Sequence, residues 1–382
     1  MATRRVLGNV TNYVNHGPQN GKNLANQGGK IMQVANWLSG KVNNQANKEN
    51  IEPLHHESIC DQKVVPKDVI HNANKRLCVE APQPMDVDEK VIKEDIPRVP
   101  EGVIDIDKDE TDANACAEYA SDIYTYLKRL EVAYPIRENY LDGTHVRCNM
   151  RSLVVDWLVS VHQQFELAQE TLFLSVNIMD RYLMTEVERT SRDTLQLVGA
   201  TSMFIACKME EIYLPSLEDF VYVTENSYTE SEMKAMEIRI LQVLQFNLNS
   251  PVSLTFLRRY SKAGDVCVME HTLAKYILEL SLMDYGQVAH PPSMTAAAAL
   301  HLSLQLLGPT GNKPWNKSLQ YHSGYTSSIL TPIIARMAMI LNNSCSHKLQ
   351  AVTQKYSGRK YKRVALIREI SPESIKRKVV LG

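Results

Sequence analysis

Hydrophobic positions divide the chain into a long stretch without order and a body with a period near 3.6. The first apolar stripe is Tyr119, Ile123, Tyr126, Leu127 and Leu130, stopped by Pro135, which predicts one amphipathic helix. A second begins near Asn149 and carries Met150, Leu153, Val154, Trp157, Leu158, Val161 and Phe165 at spacings of three and four. Val155 and Val159 lie off that stripe, so more than one of its faces meets apolar neighbours. The segment from Thr171 to Leu183 is apolar almost all round, the pattern of a helix enclosed by others. Asp193 is the expected cap of a helix running through Leu195, Val198, Gly199, Ala200, Met203 and Cys207, whose small central residues admit a close neighbour. Ser216 with Asp219, and Thr229 with Glu232, have capping-box spacing. The latter opens a helix with Met233, Met236, Ile240, Val243 and Leu244, and Pro251 ends the set.

A second set of similar lengths follows, at Leu254 to Tyr260, Met269 to Tyr285, Met294 to Leu307, Ser318 to His322 and Pro332 to Asn342. Its third member again has small residues at the centre, Ala296 to Ala299, and Pro292 and Pro332 suit first helical turns, where a missing N–H costs nothing. The predicted architecture is all-α, two five-helix bundles in tandem with one extra helix in front. Segment boundaries fall at 1–111, 112–250, 251–350 and 351–382.

Of 6 Phe, 3 Trp and 17 Tyr, only Tyr13 and Trp37 precede residue 111. A segment so poor in large apolar side chains cannot offset its ordering entropy, so 1–111 is expected to be a disordered tail acting through short motifs. Lys plus Arg is 42 and Asp plus Glu is 43, a balance that gives no chain-wide field for nucleic acid or an anionic membrane. The 7 cysteines are scattered, with no Cys-x-x-Cys, as in a chain kept in a reducing compartment. No run approaches the roughly 18 apolar residues of a membrane span, and the expectation is a soluble intracellular protein. Gly-rich phosphate loops, His-Glu-x-x-His and Gly-x-Ser-x-Gly are all absent from the sequence, so neither an enzyme nor a cofactor is expected.

Four ordered segments carry a family resemblance. Met150-Arg151-Ser152-Leu153-Val154-Val155-Asp156-Trp157-Leu158 resembles the opening helix of the cyclin box, and Asn177-Ile178-Met179-Asp180-Arg181-Tyr182-Leu183 its second helix. Ala206-Cys207-Lys208-Met209-Glu210-Glu211-Ile212-Tyr213 resembles the end of its third, and Met236-Glu237 with Val243-Leu244-Gln245-Phe246 its fifth. The leading segment from Tyr119 to Val132 resembles the mitotic B-type branch. Met209, Leu214 and Ser160 depart from the family pattern, which usually has an aromatic residue, a Pro and, in A-type members, a Glu at these positions.

The resemblance implies two tandem cyclin folds and a subunit that binds and activates a mitotic cyclin-dependent kinase. It places Lys208 and Glu237 on the kinase backbone and Ile123, Phe246 and Leu248 in the apolar contact. It also places Met150, Leu153, Trp157, Leu195 and Gln196 in a shallow groove that docks kinase substrates. In the tail, Arg4-x-x-Leu7 followed by Asn12 resembles a destruction box, and Lys48-Glu49-Asn50 a KEN box. Both imply recognition by the anaphase-promoting ubiquitin ligase at mitotic exit. Residence in cytoplasm and nucleus, varying with the cell cycle, follows from the same likeness. The basic cluster Arg359, Lys360, Lys362, Arg363, Lys376, Arg377 and Lys378 is expected to be a solvated terminus. The rival class is a tandem-cyclin-fold transcription factor that binds nucleic acid, for which a strongly basic helical body is the missing feature.

Overall fold

A computed structural model describes residues 99–108, 110–112, 115–308 and 314–379. Every regular element among these is helical. The leading helix α1 spans Ala120–Ala133; α2 to α6 span Cys148–Gln164, Gln169–Glu186, Arg192–Glu210, Leu217–Val223 and Glu230–Val243. The second five are α7 (Ser253–Ala263), α8 (Val268–Met283), α9 (Pro292–Leu307), α10 (Lys317–Ser323) and α11 (Ser327–Asn343). Two further helices, α12 (Ala351–Tyr356) and α13 (Pro372–Val379), follow.

Each bundle is built around its third helix. In α4, Gly199 approaches α2 so closely that a Cβ there would lie 2.6 Å from Val154 Cγ1. In α9, Ala296 to Ala299 are all fully buried, and α7, α8 and α11 pack around them. Small residues at these centres let the backbones come together. Capping boxes form at Ser216/Asp219 and Thr229/Glu232, as the spacing predicts. The cap of α4 is Ser191, which accepts from Thr194 N–H, rather than Asp193; the hydroxyl lies one residue before the helix and the carboxylate already within its first turn. Pro292 opens α9, but Pro332 sits inside α11. There the carbonyl it leaves without a helical donor belongs to the exposed Ser328, where water can satisfy it.

The leading helix lies on the second bundle. Tyr124 OH donates to Thr255 O, Lys128 Nζ to Ser323 O at 2.6 Å, and Glu131 accepts from both Ser293 N–H and Ser293 Oγ at the start of α9. A carboxylate at that point satisfies otherwise free amides and favours the helix dipole. The predicted stripe on α1 therefore splits. Leu127 packs inward, joined by Tyr124 from outside the stripe, while Tyr119, Ile123 and Tyr126 remain exposed.

Two segments differ from the sequence-based expectation. Part of the tail expected to be disordered, carrying Ile104, Asp107 and Glu110, is tied to the second bundle: Ile104 N–H donates to Ser318 Oγ, Arg259 makes a two-pronged pair with Asp107, and Lys262 pairs with Glu110. The basic carboxyl-terminal segment is folded, although Arg359, Lys360, Lys362, Arg363, Lys376 and Arg377 keep their side chains in solvent as expected. Val352, Tyr356, Val364, Ile370 and Ile375 are buried, and Lys378 Nζ donates to Leu306 O at the end of α9. Sequence distance hid both attachments, because the partners lie far along the chain.

Candidate functional site

Lys208 lies in the last turn of α4, where the helix leaves the core, and Glu237 lies midway along α6. Packing of α4 against α6 brings them together, with Lys208 Nζ 2.5 Å from Glu237 Oε1. The ammonium also sits 4.3 Å from the Phe204 ring, whose edge meets Phe220. Lys208 is 44% exposed and Glu237 15%, so the pair rests on a rim with its cation toward solvent. Just before it, burial pushes the Cys207 thiol up to about 12, so that side chain is core filler.

The chain beyond Lys208 is aimed outward by Glu211. Its carboxylate accepts from Ala168 N–H at 2.8 Å and from Thr171 Oγ1, capping the start of α3. With that residue fixed, Met209, Ile212, Tyr213 and Leu214 stand in solvent, the middle two at 89% exposure. Ile238, next in sequence to Glu237, is exposed, and Phe246 in the loop after α6 is 69% exposed. Large exposed apolar side chains on the segments that carry this pair, α4 with the loop after it and α6 with the loop after it, suit an interaction surface. Ile123 is 40% exposed on α1, and Leu248 is half-buried against the core.

The five positions of the expected docking groove are placed differently. Met150, Trp157, Leu195 and Gln196 are buried, and only Leu153 keeps appreciable surface. The Trp157 indole N–H and both polar atoms of the Gln196 carboxamide find no hydrogen-bond partner among the described residues. Leu153 is thus the position of the five with the most surface. The tail residues Arg4, Leu7, Asn12, Lys48, Glu49 and Asn50 lie outside the described residues.

Two structural residues inside the recognised motifs were not singled out from the sequence. Arg151 and Asp180 form a two-pronged pair at 2.7 Å with side chains 1% and 3% exposed. Tyr140 OH adds a bond to Asp180, and Arg151 Nη1 donates to Leu282 O in the second bundle. The signal that could have found them is a charged residue on the buried stripe of each motif, since such charges are retained only when paired. Among the described residues no group of His, Cys, Asp and Glu is arranged to hold a metal ion.

This geometry has counterparts in known proteins. The family model for the cyclin N-terminal domain matches residues 122–249, and that for the cyclin C-terminal domain matches 251–370. The chain belongs to the cyclin family, on its B-type branch. It is 44% identical over 299 residues to G2/mitotic-specific cyclin-B of Marthasterias glacialis, covering 78% of this chain and 76% of that one. It is also 44% identical over 275 residues to G2/mitotic-specific cyclin-B2 of Homo sapiens, covering 71% and 68% respectively. The crystal structure of a viral cyclin from herpesvirus saimiri shares the fold, with a TM-score of 0.51 at 21% identity over 57% of this chain and 96% of that one. The cyclin boundary at 250 coincides with the turn between α6 and α7, and the carboxyl-terminal match includes α12.

Proposed function

We propose that this cyclin is a regulatory subunit that binds and activates a mitotic cyclin-dependent kinase at the G2/M transition. The observation that carries the proposal is the Lys208–Glu237 pair on a rim of exposed apolar residues. Relatives at 44% identity named as G2/mitotic-specific cyclins support the cell-cycle role. Each member of the pair keeps hydrogen-bonding capacity beyond the other. Lys208 has three donors and Glu237 two acceptor oxygens, so both can reach a partner's backbone while remaining in contact. Met209, Ile212, Tyr213, Phe246 and Ile123 supply area, and the charged groups fix register.

Catalysis belongs to the partner. Pressing on the kinase's movable helix completes the Lys–Glu ion pair that organises ATP and orders the activation loop. The subunit then acts as a ligand with higher affinity for the active state. Substrates with a basic-x-Leu motif are assigned to the layer formed by Leu153 with Met150 and Trp157 beneath it. Removal at mitotic exit is assigned to the Arg4/Leu7/Asn12 and Lys48-Glu49-Asn50 motifs, read by a ubiquitin ligase. Residence in both cytoplasm and nucleus is part of the same proposal.

The test is affinity of the full chain for a mitotic kinase catalytic subunit, with phosphorylation of a histone substrate as the activity readout. Lys208→Ala and Glu237→Ala are each expected to weaken binding at least tenfold. Wild-type affinity and activation in both variants refute the assignment.

A further inference from the structure

The loop that closes α6 presents Phe246 in a conformation its own sequence does not favour. Gln245 and Phe246 are consecutive non-glycine residues with φ of 52° and 59°. Such a pair persists only where the surroundings over-determine it. Local backbone bonds contribute, among them Gln245 N–H to Gln242 O at 3.1 Å, Phe246 N–H to Leu241 O at 2.9 Å and Asn247 N–H to Leu244 O at 3.0 Å. These are local to the end of α6 and would follow it wherever it went. A further anchor comes from elsewhere: Arg181 of α3 donates from Nη1 to Asn247 O at 2.8 Å.

Arg181 is unusual in its own right. It is only 6% exposed, and its guanidinium lies 4.7 Å from the centre of the Tyr134 ring, the residue that ends α1. Burial lowers its pKa, and Tyr134 is the neighbour that opposes this effect; no carboxylate contributes. A buried cation held by a ring and a single carbonyl is a costly way to fill space, and an apolar side chain would do that better. What the guanidinium does that an apolar chain cannot is hold two separate pieces at fixed separation. One is the end of α1, the helix that bears Ile123, and the other is the loop that bears Phe246. A planar, multi-donor group sandwiched against a ring is suited to that role.

We propose that Arg181 is a positioning residue for kinase binding, a strut that fixes the Phe246 loop against the end of α1 so that both apolar contacts meet the partner together. The inference rests on the proposed assignment of Phe246 to the kinase face. Arg181 touches no partner itself and acts through the two segments it joins. Preformed contacts lower the ordering cost of association, so loosening the strut weakens binding without removing a contact.

The experiment compares Arg181→Met, Arg181→Lys, Phe246→Ala and the Arg181→Met/Phe246→Ala double variant, each as the full chain. Amide hydrogen exchange in the free protein is read at Phe246 and Asn247, with α9 amides as the control for folding. Kinase affinity is read separately. Arg181→Met is expected to speed exchange at Phe246 and Asn247 at least tenfold with α9 unchanged, and to weaken kinase binding at least fivefold. Arg181→Lys, which can still reach Asn247 O, is expected to recover part of both. The double variant is expected to bind no more weakly than Phe246→Ala alone, because the two residues serve one contact. Unchanged exchange at Phe246 and Asn247 in Arg181→Met overturns the strut whatever the affinity. Faster exchange with additive affinity losses in the double variant overturns the action through Phe246. If Phe246→Ala binds like wild type, the assignment of Phe246 to the kinase face fails, and the faster exchange alone is left as a structural effect.

Discussion

Lys355 and Glu279 form an ion pair at 2.8 Å with both side chains wholly removed from solvent. The carboxylate also accepts from Gln169 Nε2 at 2.9 Å and Tyr356 OH at 2.8 Å, so α3 of the first bundle, α8 of the second and α12 meet at one group. Burial pushes the Glu279 carboxyl up, but the Lys355 ammonium outweighs it with the other donors and holds it below the usual carboxylate range. A depressed carboxylate contributes stability above its unfolded pKa and loses it as pH falls below about 4.5.

Truncating one partner leaves the other charge buried and alone. Lys355→Met is expected to cost about 3 to 5 kcal/mol in urea unfolding, because Glu279 then has no cation to offset its desolvation. Glu279→Gln keeps an acceptor for Tyr356 but strands the ammonium, and is expected to be nearly as costly at neutral pH. A loss under about 1 kcal/mol in Lys355→Met would show that the site admits water or lets Glu279 protonate.

Asp156 poses the opposite case. It accepts the Ala351 N–H at 2.9 Å, which ties α12 to α2, yet burial raises its pKa to about 6. A carboxyl raised in the folded state contributes stability at low pH that is lost as pH rises through the folded value. Between about pH 4 and pH 6 this one group therefore favours unfolding increasingly. Asp156→Asn retains the acceptor and drops the charge, and is expected to raise stability on the order of 1 kcal/mol at pH 7.5. At pH 4 the two proteins should melt alike. Asp156→Ala, which loses the acceptor as well, is expected to cost about 1 to 2 kcal/mol relative to the Asn variant.

What the sequence disclosed and what it withheld follow from range. Capping at Ser216 and Thr229 is a three-residue affair and could be read directly. The apolar periods of α2, α3 and α4 marked core helices, while Lys208 and Glu237 were placed by the family resemblance rather than by pattern. The attachment of Asp107 and Glu110 could not be read, because it comes from Arg259 and Lys262, each 152 residues from its acidic partner. Likewise α12 carries little apolar pattern, and its placement depends on Glu279, which is 76 residues from Lys355. The groove positions show another limit of the sequence: helical spacing identifies one face of α2 but not how far neighbouring elements cover it. Trp157 and Gln196 satisfy the pattern equally well as core or as surface.

Close approach of α2 and α4 makes a sharper test of core packing. Alanine favours a helix over glycine by about 1 kcal/mol, so Gly199→Ala would stabilise α4 if space allowed. A Cβ 2.6 Å from Val154 Cγ1 does not fit, and the side chain in the way is branched, short and fully buried. Gly199→Ala is expected to destabilise by about 1 to 3 kcal/mol. Adding Val154→Ala should recover part of that loss, although Val154→Ala alone is destabilising. Simple additivity of the two in chemical denaturation would mean the helices do not meet at this point.

The Lys208–Glu237 pair allows intramolecular and intermolecular roles to be separated. With Lys208 44% exposed, solvent screens the attraction, and removing either charge is expected to change the free chain's stability by less than about 1 kcal/mol. Exchanging the two, as Lys208→Glu with Glu237→Lys, restores opposite charges at the same two positions. If the pair served only to join α4 to α6, the exchanged protein should behave as wild type in every assay. If the groups instead meet a partner's backbone, each site now offers the wrong polarity. An acceptor stands where a donor is required, and a donor where an acceptor is required, leaving partner groups unpaired in a dry interface. The exchanged chain is then expected to melt within a few degrees of wild type while binding the kinase at least tenfold more weakly. Retained affinity would assign both residues to fold stability and leave the apolar rim around Phe246 to carry recognition.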